Sequence, residues 1–299
     1  MENKQTRRAV IKNLALGASA LAITPASALT TFNQAQPTSG KKTNLKGNIN
    51  HSVSRWTFNY LSLDDLCKAV KEIGFNAIDL VGPKDWPTLQ KHGIYSSMCY
   101  TAGDNNLYKG LDNPIYHEKL IEEYLDVIPI MAKAGYKNLI CFSGTRENLD
   151  DETGMKNCKT ALEKILPFAE KNGVTMVMEV LNSKIDHKDY MCNRVEWGAE
   201  LCKLVGSENF KLLFDIYHVQ IQEGDIIRNI QDYYQYIAHY HTGGIPGRHE
   251  INNTQELYYP VVIKAILDTG FKGYVAQEFM PTYPDKLDSL REAIKICDV

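Results

Sequence analysis

Tyr236-Ile237-Ala238-His239-Tyr240-His241, followed at once by Thr242-Gly243-Gly244-Ile245-Pro246-Gly247-Arg248-His249-Glu250, is the stretch on which the fold turns. The first half is a short apolar and aromatic run that reads as a strand. Gly243-Gly244 and Pro246-Gly247 then stop regular structure. Histidines, an arginine and a glutamate crowd the loop that follows, as in a ligand-binding loop carried on a rigid scaffold.

Working outward, the same unit recurs. Further strands are expected at 48–53, 77–81, 94–100, 138–142, 174–180, 211–216 and 274–279. Helical patterns lie between them, at 63–73, up to His92-Gly93, then 115–134, 158–172, 195–205, 226–234, 259–269 and 284–297. Ser62 is a good N-cap, and Gly74, Gly135 and Gly173 end their helices. Strands alternating with helices along one chain of 299 residues imply an α/β fold, closed as a single-domain (β/α)8 TIM barrel over residues 48–299. An open doubly wound sheet is the alternative, but no GxGxxG follows the first strand.

Composition excludes some partners. The net charge is −3 and the pI near 6.3, and no Lys/Arg cluster outside the N-terminus supplies a basic face, so no nucleic-acid partner is expected. Seven widely spaced cysteines (67, 99, 141, 158, 192, 202, 297) form no CxxC pair, which argues against a zinc knuckle or a redox motif. At the N-terminus, Arg7-Arg8 and Lys12 precede an apolar run from Leu14 to Ile23 and the small residues Ala26-Ser27-Ala28. This reads as a twin-arginine-type signal peptide over residues 1–28, too short to span a bilayer. Residues 29–47 read as a disordered leader. A periplasmic or secreted protein without a stable membrane anchor is expected, with homo-oligomerisation open.

Chemistry in such a barrel sits at the C-terminal ends of the strands. Four consecutive strands each carry one acid or imidazole there: Glu179, Asp215, His241 and Glu278. Three of these are carboxylates inside apolar runs, where an unpaired charge is strongly disfavoured. One divalent metal bound by all four would satisfy them. Oxygen-rich donors with a single nitrogen suit Mn2+ first, with Mg2+ or Co2+ as alternatives. Taken singly, Glu179 is equally a salt-bridge partner, Asp215 a helix N-cap and His241 a hydrogen-bonded core histidine.

The segments Met178 to Asn182 (MEVLN), Leu212 to Gln220 (LLFDIYHVQ), His241 to Asn252 (HTGGIPGRHEIN) and Tyr274 to Phe279 (YVAQEF) resemble the hydroxypyruvate isomerase branch of the xylose isomerase-like sugar isomerase and epimerase barrels. The four rim residues match that superfamily's metal ligands. Hydroxypyruvate isomerases often carry Gln at the position of His241, whereas related ketose epimerases carry His. The resemblance implies an aldose–ketose type isomerisation through an enediolate, with Glu179 and Glu278 as the acid–base pair. His218, Arg248, Asn182, His51 and Trp86 are substrate-binding candidates, and Trp56 is a further possible wall of the pocket. His218 is almost as readily a partner holding Asp215, and core packing is the commoner fate of His51, Trp56 and Trp86. His249 and Glu250 are expected to pair with each other or with Arg248. The expected substrate is a small hydroxy-carbonyl compound or sugar. An exported ketose 3-epimerase, or a lyase of oxidised sugars, is the alternative enzyme; a metal-dependent sugar-binding protein is the alternative outside catalysis.

Overall fold

The computed structural model describes residues 44–103 and 106–299. The signal peptide expected at 1–28, and the expected leader up to residue 43, lie outside the described residues; the last four residues of that leader are not disordered but ordered against the barrel, with Leu45 packed on the core and Lys46 N donating to Asp298 Oδ1 at 2.9 Å. Among the described residues no helix is long and apolar enough to cross a membrane.

The strands are β1 (Asn50–Ser54), β2 (Ala77–Asp79), β3 (Tyr95–Ser96), β4 (Asn138–Cys141), β5 (Thr175–Glu179), β6 (Phe210–Asp215), β7 (Ile237–Thr242) and β8 (Tyr274–Gln277). Interleaved with them are α1 (Leu63–Ile73), α2 (Trp86–His92), α3 (His117–Ala134), α4 (Asp151–Asn172), α5 (Val195–Val205), α6 (Ile216–Gln222), α7 (Ile226–Tyr233), α8 (Tyr259–Asp268) and α9 (Lys286–Cys297). Every strand pair is parallel, in the order β3-β2-β1-β8-β7-β6-β5-β4. Cys99 joins the two edges, bridging Val81 on one side and Leu139 on the other. Its N–H donates to Asn138 O at 2.8 Å and its carbonyl accepts from Ile140 N at 2.9 Å. The sheet therefore closes on itself, as a barrel must if it is to leave no edge.

Alternation along each strand sorts the side chains. Outward residues such as Val53, Ile78, Met176 and Phe214 enter the large core between sheet and helices. Inward residues split the barrel lumen. Met98, Ile140, Val177 and Leu213 fill one half with apolar volume. Ser52, Ser97, Asp79, His239 and His241, all buried, make the other half polar. Ser52 Oγ meets Ser97 Oγ at 2.6 Å, and Ser97 donates to Asp79 Oδ1 at 2.7 Å.

Three elements differ from expectation. Regular pairing in the third strand is confined to Tyr95–Ser96, because Ser96 Oγ bonds Met98 O and Ser97 turns inward to Asp79. Helix α4 starts at Asp151 rather than at Cys158: Asp150 caps it by accepting from Thr153 N at 2.7 Å. Gly154 lies in this first part of the helix with Met191 Cε against the space a Cβ would take. The residues after Asp215 form a helix of their own, α6, capped by Asp215 itself.

All seven cysteines are buried and free. Burial pushes the Cys67 thiol up to about 11 and the Cys99, Cys202 and Cys297 thiols up to about 12.

The loop between β3 and α3 holds a buried acid, Asp112, neither of whose carboxyl oxygens has a side-chain hydrogen-bond partner among the described residues. Burial, with Glu147 nearby, raises its pKa from 3.8 to about 8. The folded chain thus holds this proton more tightly than the unfolded chain does. The stability Asp112 contributes is complete below pH 4 and is lost as pH rises towards 8. Asp112→Asn is expected to raise the melting temperature at pH 8 and to flatten its decline between pH 5 and 8 relative to the parent; parallel curves would contradict this.

Candidate metal centre and active site

Each of the four rim acids and imidazoles occupies the last inward position of its strand, or the residue just after it. Glu179 ends β5, Asp215 ends β6, His241 lies one residue from the end of β7, and Glu278 follows β8. Parallel register brings them level: Asp215 pairs with His241, and His241 with Ala276. One donor atom from each of the four lies within 4.8 Å of the others, and all four residues are buried. His241 Nδ1 is 2.7 Å from Glu278 Oε2, 3.5 Å from Glu179 Oε1 and 4.0 Å from Asp215 Oδ2.

Asp79 decides what His241 can do. Its Oδ2 lies 2.6 Å from His241 Nε2 and its Oδ1 lies 3.1 Å from His239 Nε2. With one His241 proton held on Nε2 by Asp79, Nδ1 is the nitrogen that faces the three carboxylates and the one that would ligate once its own proton is lost, and a carboxylate behind a ligating imidazole is the usual support of a metal-binding histidine. Three carboxylates and one such nitrogen, gathered in a buried space with a single guanidinium beside them, fit a divalent cation. Asp215 serves two ends. Its Oδ1 caps α6 by accepting from Tyr217 N at 2.8 Å, while Oδ2 faces the cluster.

The electrostatics follow from crowding in low dielectric. Burial raises the Glu179 pKa, and burial drives Asp215 up to about 7. For Glu278 burial acts upward too, but His241 and Arg248 outweigh it and hold the carboxyl well below the usual range. Burial would lower His241, yet Glu278 and Asp79 together raise it well above the ordinary imidazole value.

Arg248 enters from the β7–α8 loop. Its Nη2 donates to Asp215 Oδ2 at 3.1 Å and to Glu278 Oε2 at 2.5 Å, and its guanidinium lies over the rings of Trp56 and Tyr217 at 5.3 and 5.2 Å. A tight bridge sets this inward aim: Gly244 N bonds His249 O and Arg248 N bonds Gly244 O, both at 2.8 Å. A Cβ on Gly244 would fall 2.2 Å from Glu250 O, so only glycine fits there. Arg248 itself takes φ 58, a conformation rare for a side-chain-bearing residue and held here by its surroundings.

His218 and Asn182 form the adjoining wall. Asn182 Nδ2 lies 2.6 Å from His218 Nδ1 and 2.7 Å from Asp186 Oδ2. An amide donor on Nδ1 leaves the His218 proton on Nε2, which is 3.6 Å from Asp215 Oδ2. Burial, with Arg248 nearby, lowers the His218 pKa well below its ordinary value and keeps the ring neutral.

Two candidates lie elsewhere. His51 packs edge-on against Phe75, with ring centroids 6.1 Å apart, and burial lowers its pKa to about 4. Trp86 donates to Val81 O at 2.9 Å and packs edge-on against Tyr136. Both belong to the packing around the barrel rather than to the cluster; the tryptophan at the cluster is Trp56. Glu250 pairs with neither His249 nor Arg248: it accepts from Thr282 N, Thr282 Oγ1 and Ser289 Oγ, tying the arginine loop to α9. His249 instead bonds Met280 O. Sequence reasoning missed Asp79 and His239. The signal was present for Asp79, a charge inside the apolar run Ala77 to Val81, the same criterion that singled out the other acids.

Comparison with known proteins identifies the family. Residues 67–297 match the family model of the xylose isomerase-like TIM barrel, so the chain belongs to that family. A 2-oxo-tetronate isomerase of Cupriavidus necator is 34% identical over 128 residues, a match covering 42% of this chain and 48% of that protein. A Drosophila melanogaster protein, provisionally named a hydroxypyruvate isomerase, is 25% identical over 233 residues, covering 74% of this chain and 86% of that one. The match to the first relative thus spans about half of its length. Among solved structures, a family 2 AP endonuclease from Brucella melitensis superposes with a TM-score of 0.72 at 22% identity, covering 81% of this chain and 97% of that one. That likeness concerns the fold.

Proposed function

We propose that the chain is a divalent-metal-dependent isomerase of small hydroxy-carbonyl compounds, working through an enediolate as hydroxypyruvate and 2-oxo-tetronate isomerases would. The observation that carries this reading is the convergence of Glu179, Asp215, His241 and Glu278 within 4.8 Å. These four would hold the ion, Mn2+ foremost. When bound, it supplies Lewis-acid polarisation of the substrate's carbonyl and hydroxyl oxygens.

The side chains account for the rest. Glu179 and Glu278 approach from β5 and β8, so the two can serve opposite faces of a bound carbon. One carboxylate takes the proton from the hydroxyl-bearing carbon beside the carbonyl, a carboxyl group delivers a proton to the former carbonyl carbon, and the hydroxyl proton passes to the former carbonyl oxygen. Arg248 presents guanidinium N–H groups to substrate oxygens, with a carboxylate the best match to its fork. The neutral His218 offers Nε2–H as a donor to a hydroxyl or enediolate oxygen. We also place the working enzyme outside the cytoplasm, on the strength of the leading Arg-Arg and apolar run.

A second reading, a ketose 3-epimerase, draws on His241 standing where hydroxypyruvate isomerases often carry Gln. Purified protein with and without Mn2+ should be offered hydroxypyruvate, 2-oxo-tetronates and a panel of ketoses. Mn2+-dependent turnover of the acids is expected. Turnover confined to C3 inversion of ketoses would favour the second reading, and incision of abasic DNA would overturn both.

A further inference from the structure

Trp56 approaches the cluster from the short 3-10 turn Arg55–Phe58 that follows β1. Its indole Nε1–H donates to Glu278 Oε1 at 2.7 Å. The other oxygen of that carboxylate, Oε2, faces His241 Nδ1 at 2.7 Å and Arg248 Nη2 at 2.5 Å. The two oxygens of Glu278 are therefore distinguished by their partners. Trp56 is 40% exposed, so burial alone does not fix its ring. Its backbone is fixed instead: Arg55 bonds Phe58 O and Leu61 O, each at 3.0 Å, and Thr57 Oγ1 bonds Ser54 O at 3.1 Å. A rigid turn thus presents one donor to one oxygen of one acid.

We infer that Trp56 is a positioning residue, which locks the rotation of the Glu278 carboxylate so that Oε2 stays with the cluster and Oε1 keeps one lone pair for the substrate. The inference rests on the acid–base role given to Glu278 above. An ionised oxygen accepts about two hydrogen bonds, so one indole donor orients Oε1 without saturating it. A hydrogen bond to a charged acceptor is strong enough to hold that orientation against thermal rotation. A tryptophan that only walled the pocket would need its ring and not its N–H.

Trp56→Phe separates these possibilities, because it keeps a ring over Arg248 and deletes the donor. At saturating Mn2+, kcat should fall about 10–100-fold, in the range seen when supporting partners of a metal site are removed. KM and the Mn2+ dissociation constant, measured by titration without substrate, should each change by less than about threefold. A kcat within about twofold of the parent, or a loss restored by more Mn2+, would overturn the inference. A measurement on the parent protein stands apart from any folding defect: paramagnetic Mn2+ should quench the Trp56 share of the tryptophan emission, and unaltered emission on loading would also overturn it. Glu278→Gln is the control. If that variant keeps its turnover, the proposed function fails; if it is inactive while Trp56→Phe is fully active, only the role of Trp56 fails.

Discussion

Glu278→Gln is expected to lower kcat by about a thousandfold, within the span that general acid–base catalysis contributes, while the barrel stays folded. The amide is isosteric, and its oxygen can still accept from Trp56 Nε1. What disappears is the negative charge that faces His241 and Arg248. A neutral amide cannot take a proton from carbon, and it is a poorer ligand for a divalent cation. Circular dichroism and the melting curve should remain close to those of the parent, and exchange of the substrate's α-proton with deuterated solvent should stop along with turnover. Full activity in this variant would dismiss the acid–base assignment.

Stripping divalent ions is the second large effect. Chelation should abolish turnover, and Mn2+ should restore it, with Mg2+ or Co2+ restoring a part. The same treatment should change stability, because three buried carboxylates share a small volume with one imidazole and one guanidinium. An ion that binds only the folded state stabilises it by about 2.7 kcal/mol at a hundred times its dissociation constant. For a domain of this size that corresponds to a rise of about 5–10 °C in melting temperature. Equal turnover and equal melting temperature before and after chelation would remove the metal from the account.

The sequence made the barrel legible because most strands, β4, β5, β6 and β8 above all, are apolar runs and most helices end at a glycine or begin at a polar cap. The rim was legible for a related reason: a charge inside an apolar run needs a partner, and Glu179, Asp215 and Glu278 each stood in such a run. What could not be read was direction. His51 lies within β1, and whether its side chain faces the lumen or the helices depends on register, which comes from pairing with distant strands; Trp86 opens α2, whose packing likewise depends on distant contacts. Trp56 and Trp86 look alike in sequence. One reaches Glu278 because a braced turn aims it; the other meets Tyr136 because α2 carries it outward. The split of the lumen into an apolar and a polar half, with Asp79 behind His241, likewise required the closed sheet.

The seven sequestered thiols set an order of events for the newborn chain. Reactivity follows exposure and thiolate content, and the finished core denies both to every cysteine. The extended chain enjoys no such shelter, and in an oxidising compartment its sulfurs would cross-link at random before the sheet could close. If the chain is exported as proposed above, completing its core among reductants first would spare these thiols. Refolding from denaturant should accordingly succeed with dithiothreitol present and fail under glutathione disulfide, whereas the activity and melting temperature of the folded protein should be unchanged by either reagent.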